Sequence, residues 1–368
     1  MAHSPEIIGI GGGKGGVGKS IVALTMAVVL AEMGRDVVLV DLDLGGANLH
    51  TYLGIHGHTP TVSQFLSGKT PHLSDLMVKT SVPGLHLIAG STGTLQSANP
   101  SFQSKMKLLR HIRRLPASWV VLDLGAGTNY NTLDFFNASH YKVVVTQPEA
   151  GAVLNAYGFI KAALIRYLVR LLSDTRLLAR EISEEVGEGT NSRTTLEHVE
   201  EIIKGHDPEL LNTLREIRTA FTPFLLLNRT PAQTKNILVK NLIDLSREKL
   251  GLSPVFLNTL PDAPLMSRHI INIPAFLKTK DGMDFRAGIQ KAVDLMLNRK
   301  PQDLKEEKIP QFEEEGTEKL IDLIDSIDDT LLPPNKKKQL KLRAFFKPGS
   351  VIKQLGEMGI TLPDSSTS

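Results

Sequence analysis

The chain has 368 residues, of which 41% are hydrophobic, and a formal net charge of +3. This composition is that of a folded protein with a sizeable apolar core. The chain contains no cysteine, which excludes disulfide bonds, thiolate zinc sites, iron–sulfur clusters and cysteine nucleophiles. The first residues do not form a secretion signal, and no apolar run approaches the length of a membrane span. We therefore expect a soluble cytoplasmic protein.

Short apolar runs alternate with helical patterns over the first 300 residues. The apolar positions within each run are consecutive, which is typical of strands buried on both faces of a parallel sheet. The alternation predicts an α/β domain with a doubly wound, mostly parallel β-sheet flanked by helices. The predicted strands are residues 7–10, 37–40, 85–89, 119–122, 143–146, 224–227 and 255–257, and residues 20–33 and 155–172 are predicted helices.

Two segments depart from this alternation. Residues 173–220 are polar and helix-prone, and we expect a helical insertion there. A charged extension begins near Pro301: residues 301–332 carry 11 acidic and 3 basic residues, whereas residues 333–368 carry 7 basic and 2 acidic ones. We therefore predict one domain over residues 1–300 and an extension over residues 301–368.

The extension contains two candidate contact segments. Residues 318–332 place their apolar side chains on one stripe, which predicts a helix that docks on the domain or on a partner. Residues 336–347 are basic and include Phe345 and Phe346, a composition that suits a membrane surface. A solvated or partner-binding extension is the alternative for this second segment.

Residues 11–20, which follow the first predicted strand, read GGGKGGVGKS. They match the pattern G-x-x-x-x-G-K-[ST] between a strand and a helix, as a phosphate-binding loop requires. Lys19 supplies a charge for the β- and γ-phosphates, and Ser20 supplies a hydroxyl for Mg²⁺. The motif favours a nucleoside triphosphate over a dinucleotide. The expected contacts come from Gly13, Lys14, Gly15, Gly16, Val17, Gly18, Lys19 and Ser20.

Carboxylates follow two further predicted strands. Asp41 and Asp43 leave the strand 37–40 on the same side, and Asp123 ends the strand 119–122. Carboxylates that share a site repel each other unless a cation lies between them. We therefore expect Asp123 to hold Mg²⁺, and we expect the backbone N–H of Gly127 to contact the γ-phosphate.

The loop KGGVGKS, with its second lysine at Lys14, resembles the deviant Walker A motif of the MinD/ParA ATPases. In that family the additional lysine reaches the phosphates held by the partner subunit of a nucleotide-sandwich dimer, which implies this role for Lys14. The segment that begins at Asp41 is similar to switch I of the family. This likeness implies that Asp43 orients or activates the attacking water and that Asp41 supports the metal shell. The implied cofactors are ATP and Mg²⁺, and the implied first partner is a second copy of the chain.

Two later strand ends resemble the base pocket of the same family. Asn228 stands where an asparagine of the family contacts adenine, and Pro261 and Asp262 follow the last predicted strand as a Pro–Asp pair does. Asn and Asp are also common turn residues, so ordinary turns are the alternative.

Within the family, the absence of cysteine excludes the iron–sulfur and zinc-dependent members. The segments DLDLGGANLHTYLGI and DLGAG look most like the FlhG/FleN branch of flagellar number regulators, although the DQAxxLR activation helix of many such proteins is missing. The resemblance implies a slow, partner-stimulated ATPase that controls the placement or number of a flagellar or polar structure, in the cytoplasm or at the membrane or pole.

Three other functions stay open. They are a MinD-type division-site regulator that binds membrane through residues 336–347, a ParA-type partition ATPase that binds nonspecific DNA, and a metabolic ligase or amidase of the same superfamily. We expect DNA binding to be the weaker possibility, because the basic residues of the domain form no dense cluster.

Overall fold

The computed structural model describes residues 4–43, 46–57, 59–90, 101–171, 196–206, 221–231 and 237–299, together with isolated residues at 211, 214 and 218 and scattered ones between 324 and 358. The chain divides into two compact units, Met1–Pro301 and Gln302–Ser368. Most of the 173–220 insertion and most of the segments 318–332 and 336–347 lie outside the described residues. The predictions for these three segments therefore stay predictions.

An eight-stranded sheet runs through the described part of the first unit. The spatial order is β3-β4-β2-β5-β1-β6-β7-β8, and every neighbouring pair is parallel except β3 and β4. The predicted doubly wound, mostly parallel sheet is confirmed. The strands are β1 (Glu6–Gly11), β2 (Val37–Leu42), β3 (Val78–Lys79), β4 (Leu85–Ile88), β5 (Trp119–Leu124), β6 (Tyr141–Thr146), β7 (Pro223–Thr230) and β8 (Val255–Pro261).

The central strands are buried along their whole length. Every residue of β2, β5 and β6 is buried, because helices cover both faces of the sheet. This burial explains why the apolar residues of these strands are consecutive in the sequence. It also forces polar groups to the strand ends, where the chain turns back to the surface.

Helices connect the strands. They are α1 (Lys19–Glu32), α2 (Leu49–Tyr52), α3 (Val62–Leu66), α4 (Phe102–Arg113), α5 (Tyr130–Asn137), α6 (Ala150–Leu171), α7 (Leu196–His206), α8 (Ile237–Leu250), α9 (Ile273–Phe276) and α10 (Lys280–Asn298), with 3₁₀ helices at Leu73–Leu76 and Pro264–His269. Helix α1 packs between the sheet and α10, whereas α6 packs against β6, α5 and α8. Helix α7 is the described part of the predicted insertion.

Helix α6 includes most of the predicted helix 155–172 and begins earlier, at Ala150. Its segment Ala150–Arg170 is long and apolar enough to cross a membrane by length and composition alone. Just over half of its most apolar window, 56%, is buried within the fold, and Phe159, Ile160 and Leu164 are fully buried. We therefore interpret α6 as a core helix of the α/β domain.

The parallel strands bring their carboxyl ends to one edge of the sheet, which is where ligands bind in folds of this kind. The Cα positions of Asp41 and Asp123 pair directly between β2 and β5. The glycine-rich loop leaves β1, the neighbour of β5, at the same edge. Residues that are far apart in the sequence therefore meet at this edge.

Candidate functional site

The glycine-rich loop joins β1 to α1, and its backbone needs glycine for two reasons. Gly16 and Gly18 have φ angles of 77° and 93°, in the left-handed region that glycine adopts without strain. A Cβ atom on Gly13 would lie 2.2 Å from the carbonyl oxygen of Asn155. At Gly16, in contrast, no atom lies within 4 Å of an added Cβ. The loop is therefore tightly supported on one side and open on the other.

Lys19 is the first residue of α1 and is only 7% exposed. Its Nζ atom donates to the carbonyl oxygen of Lys14 at 3.4 Å. Burial lowers the pKa of Lys19, and the charges of Asp123 and Asp43 oppose that effect. The lysine predicted to hold phosphates thus shares one pocket with two of the predicted carboxylates.

Asp41 is fixed by the backbone of the following loop. Its Oδ1 atom accepts from the N–H of Asp43 at 3.1 Å, and its Oδ2 atom accepts from the N–H of Leu49 at 3.3 Å. Burial raises the pKa of Asp41 to about 7, and the charge of Asp43 adds to the rise. Because both oxygens bind backbone N–H groups, Asp41 anchors the loop that carries Asp43. Its predicted support of a metal shell stays a prediction.

Asp123 is fully buried and is the candidate metal carboxylate. The Ser20 hydroxyl donates a hydrogen bond to it, but no described residue is hydrogen-bonded to its Oδ1 atom. Burial raises the pKa of Asp123 well above its usual range, and the charge of Asp41 raises it further. An orphaned carboxylate oxygen beside a serine hydroxyl fits Mg²⁺, which prefers oxygen ligands.

The remaining ligands of such a metal would come from elsewhere. Among the described residues, no group of three His, Cys, Asp or Glu side chains could hold a metal ion. Mg²⁺ usually keeps several waters and takes further ligands from nucleotide phosphates. Ser20 and Asp123 therefore fit a metal that arrives together with a nucleotide.

The turn 125–127 after β5 lies against the phosphate loop. The N–H of Gly127 donates to the carbonyl oxygen of Gly12 at 3.4 Å. Asp43 approaches the same turn, because a Cβ atom added to Gly125 would lie 3.3 Å from the Asp43 Oδ1 atom. The predicted contact of the Gly127 N–H with a γ-phosphate would require that long hydrogen bond to break.

The predicted base pocket is brought to the loop in part. Asn228 is 4% exposed, and its Nδ2 atom donates to the carbonyl oxygen of Val17 at 2.8 Å. Its buried Oδ1 atom has no partner within the part of the chain that the structure describes, so an acceptor is available beside the loop. Pro261 ends β8, and the exposed Asp262 beyond it forms no hydrogen bond or ion pair with a described residue.

Three residues after β6 belong to the same neighbourhood, although sequence reasoning assigned them no role. Gln147 donates through Nε2 to the carbonyl oxygen of Gly16 at 3.4 Å. The Glu149 Oε2 atom lies 3.5 Å from the Nζ atom of Lys14. The backbone of Asn155 packs against Gly13. In the sequence, their position just after a predicted buried strand could have indicated that they lie near the site.

Tyr52 is a further residue that the sequence did not single out. It ends the short helix α2, whose first residue is held by Asp41. Burial raises the pKa of the Tyr52 phenol, and the charges of Asp123, Asp41 and Asp43 raise it further. The phenol therefore lies within the field of the three carboxylates.

Together, the buried lysine at a helix start, the supported glycine loop and the serine-bound carboxylate define a P-loop nucleotide-binding site. Comparison with known proteins agrees with this class. Residues 4–163 match the ParA family model, described as the NUBPL iron-transfer P-loop NTPase. The antiactivator FleN of Pseudomonas aeruginosa is 30% identical over 163 residues, which cover 43% of this chain and 56% of FleN.

The flagellum site-determining protein YlxH of Helicobacter pylori is 33% identical over 163 residues, which cover 42% of this chain and 53% of YlxH. The septum site-determining protein MinD of Pyrococcus horikoshii, solved with Mg-ADP, is 18% identical, with a TM-score of 0.52 over 82% of this chain and 100% of that chain. The likeness to this MinD structure concerns the fold alone.

Over residues 4–163 the chain matches the ParA-family P-loop NTPase domain. The predicted likeness to the MinD/ParA family and to its FlhG/FleN branch is confirmed. The chain spans only about half the length of these two relatives, 56% of FleN and 53% of YlxH.

Proposed function

We propose that this protein is a Mg²⁺-dependent ATPase that works as a dimerising switch and controls the number or placement of flagella or of another polar structure. The observation that carries the catalytic part is the buried Asp123 carboxylate, which accepts from Ser20 beside Lys19 and whose Oδ1 atom is bonded to none of the described residues. The likeness to the antiactivator FleN and to the flagellum site-determining protein YlxH supports the biological part.

Phosphate binding would use the open side of the loop. The backbone N–H groups around Gly16 and the start of α1 face an anion favourably. Lys19 adds a charge that its buried surroundings leave weakly solvated, so its attraction to phosphate is strong. Bound Mg²⁺ supplies neutralising charge on the phosphate oxygens. Asn228 would read the adenine through its partnerless Oδ1 atom, with Pro261 and Asp262 at the rim of the base pocket.

We assign activation of the attacking water to Asp43. Its backbone is tethered to Asp41, and its carboxylate lies beside the turn at Gly125. A carboxylate held in this way can accept a hydrogen bond from a water that faces the terminal phosphate. Gly127 would then change its partner from the Gly12 carbonyl to that phosphate.

Self-association would use the face that carries Lys14. The Lys14 side chain is 47% exposed, so it can reach the phosphates bound by a second copy. Leu154 on the neighbouring helix α6 is an apolar side chain with 62% exposure. An exposed cation and an exposed leucine beside the nucleotide site suit a contact that forms when a nucleotide supplies negative charge.

The test is whether the purified protein hydrolyses ATP in the presence of Mg²⁺ and dimerises only with ATP. Light scattering measures the dimer, and phosphate release measures turnover. Failure to bind ATP would contradict the catalytic part. The biological part is tested by deleting the gene and counting flagella. A normal flagellar pattern with misplaced septa would favour the division-site role instead.

Nonspecific DNA binding is a second candidate, because basic residues are concentrated on and around α4. Between Asp75 and Asp123 the chain has six Lys and Arg residues and no acidic one. Burial lowers the pKa of His111 on α4, and the charges of Lys107, Arg114 and Arg110 lower it further. A DNA-binding role predicts binding that needs ATP and weakens steeply with salt.

Membrane or polar attachment through residues 336–347, and stimulation by a protein partner, complete the proposal. Truncation before Pro334 should abolish ATP-dependent binding to anionic vesicles and leave hydrolysis intact. Vesicle binding that survives this truncation would remove the segment from the proposal.

A further inference from the structure

A buried group of charges joins three helices of the α/β domain. We call it the Asp134 cluster, and it consists of Asp134 on α5, Lys105 on α4, and Arg166 and Arg170 on α6. Asp134 is fully buried. Arg166 donates to both of its oxygens, through Nε to Oδ1 at 2.9 Å and through Nη2 to Oδ2 at 3.1 Å. Arg170 lies 3.0 Å from Oδ1, and Lys105 is bonded to Oδ2.

The cluster keeps a buried carboxylate ionised. Burial alone would raise the pKa of Asp134, but the hydrogen bonds from Arg166 and the charges of Arg170, Arg166 and Lys105 outweigh it and lower that pKa. A bidentate Arg–carboxylate pair is directional, because two parallel hydrogen bonds fix the plane of both groups. Arg166 therefore determines how α5 and α6 are oriented against each other.

Arg166 holds a second point on α5. Its guanidinium carbon lies 4.2 Å from the centre of the Tyr130 ring, a distance suited to a cation–π contact. Tyr130 is the first residue of α5 and directly follows the helix cap Asn129, whose side chain accepts from the N–H of Thr132. The start of α5 is thus fixed by its own cap and by Arg166.

Both helices are connected to the nucleotide site near their N-terminal ends. The turn at Gly127, three residues before α5, is hydrogen-bonded to Gly12. Helix α6 presents the carbonyl oxygen of Asn155 beneath Gly13. Arg166 therefore joins the helix that follows the turn to the helix that supports the loop.

We propose that Arg166 is a positioning residue for nucleotide turnover: by joining α5 to α6, it sets the place of the Gly127 turn relative to the phosphate loop. Arg166 itself touches neither the loop nor the carboxylates of the site among the contacts described. The inference rests on the proposed ATPase function. In this proposal, turnover depends on the Arg166–Asp134 ion pair as well as on the residues of the nucleotide site.

The test is Arg166→Lys, which keeps the charge and loses the bidentate geometry. We expect kcat to fall roughly tenfold while the Kd for ATP changes less than about threefold, since coupling through packed elements is of this size. Hydrogen exchange of the amides of residues 127–133 should accelerate, because the start of α5 loses its second anchor. The matched control is Leu168→Ala on the same helix, a fully buried leucine that lowers stability without touching the Asp134 cluster.

The outcomes separate positioning from general stability. A fall in kcat with Arg166→Lys, but not with Leu168→Ala at an equal or lower Tm, supports the proposal. Wild-type turnover in Arg166→Lys overturns it, and so does an equal loss in the control. If Arg166→Lys does not fold, Tyr130→Ala removes the ring contact at a partly exposed position and should lower kcat in the same direction. An inactive wild type would contradict the ATPase proposal, and the exchange of residues 127–133 would then decide the role of Arg166.

Discussion

Asp41 and Asp123 occupy paired positions on β2 and β5, and each is only 1% exposed. Burial raises the pKa of both carboxyl groups, and the charge of Asp41 raises the pKa of Asp123 further. Their juxtaposition costs stability in the absence of a ligand, and a cation with its phosphates relieves that cost. The protein therefore holds a destabilised arrangement where it binds its nucleotide.

The first prediction concerns Asp123→Asn. Removing one of two repelling buried charges should raise the Tm of the ligand-free protein. The same change should remove most of the additional stabilisation by Mg-ATP, because the amide is a poor magnesium ligand. Thermal unfolding with and without Mg-ATP measures both effects. A lower Tm without ligand would contradict the repulsion, and unchanged stabilisation by Mg-ATP would remove Asp123 from the metal site.

The second prediction concerns Asp43→Ala. Asp43 is half-buried, and its described hydrogen bonds use its backbone: the N–H donates to Asp41 and the carbonyl oxygen accepts from Gly46. Loss of the side chain should therefore leave the loop intact. Turnover should fall by about 10²-fold or more, while the Kd for ATP stays within a few-fold of wild type. Asp281→Asn at the exposed start of α10 is a control for charge loss. Unchanged turnover in Asp43→Ala would exclude it as the residue that activates water.

The third prediction concerns Lys14. Lys14→Ala should weaken ATP-dependent dimerisation, measured by light scattering, and lower turnover. Glu149→Gln releases Lys14 from an ion pair between exposed side chains, which contributes little. This variant should dimerise as well as wild type or slightly better. Normal dimerisation and turnover in Lys14→Ala would show that Lys14 does not act across the dimer.

The fourth prediction concerns the base. Asn228→Ala removes the Oδ1 atom, an acceptor without a partner among the described residues. It also removes the hydrogen bond from Nδ2 to the Val17 carbonyl oxygen. ATP affinity should fall by roughly tenfold, and the preference for ATP over GTP should shrink, since one or two hydrogen bonds to the base are lost. Competition binding with both nucleotides measures the change. An unaltered preference would assign Asn228 to loop support alone.

The fifth prediction concerns Lys142, which lies on β6 away from the nucleotide site. Its Nζ atom donates to the carbonyl oxygen of Ser139 at 2.6 Å, and burial lowers its pKa to about 8. In the unfolded chain the lysine has its ordinary pKa of 10.5, so the unfolded chain binds more protons than the folded chain between these two values. Stability should therefore rise as pH increases from about 8 to 10.5.

Lys142→Met should have a free energy of unfolding about 1–2 kcal/mol higher than wild type at pH 7. The methionine side chain fills the space of the lysine chain and removes its buried charge. It should also lose the rise at alkaline pH. Denaturant unfolding at pH 7 and pH 10 measures both effects. Equal pH dependence in the two proteins would show that another group titrates.

The sequence predicted the strands and the phosphate loop because both are local. Consecutive apolar residues report burial on two faces, and the glycine–lysine–serine spacing needs only a strand before it and a helix after it. Strand ends also predicted that Asp41, Asp123 and Asn228 would meet at one edge of the sheet. The roles of these side chains in metal, phosphate and base binding stay predictions.

Other features depend on contacts that no local pattern contains. Asp134 and Arg166 are 32 positions apart, and their charges look like ordinary helix surface until α5 and α6 pack together. The short strand β3 has only two residues, too few for a periodic signal. Asp41 looked like a metal ligand, but the fold also uses both of its oxygens to bind backbone N–H groups.

Helix α6 has a consequence for how the chain is made. Its segment Ala150–Arg170 has the length and apolar character of a membrane span, and part of its cover comes from α8, which ends at Leu250. During synthesis from the N-terminus, α6 is complete about 80 residues before that cover exists. A nascent chain paused in this interval exposes a segment that chaperones or a membrane can capture. A truncated chain that ends before Ile237 should accordingly aggregate or bind membranes, whereas the full chain buries the same helix.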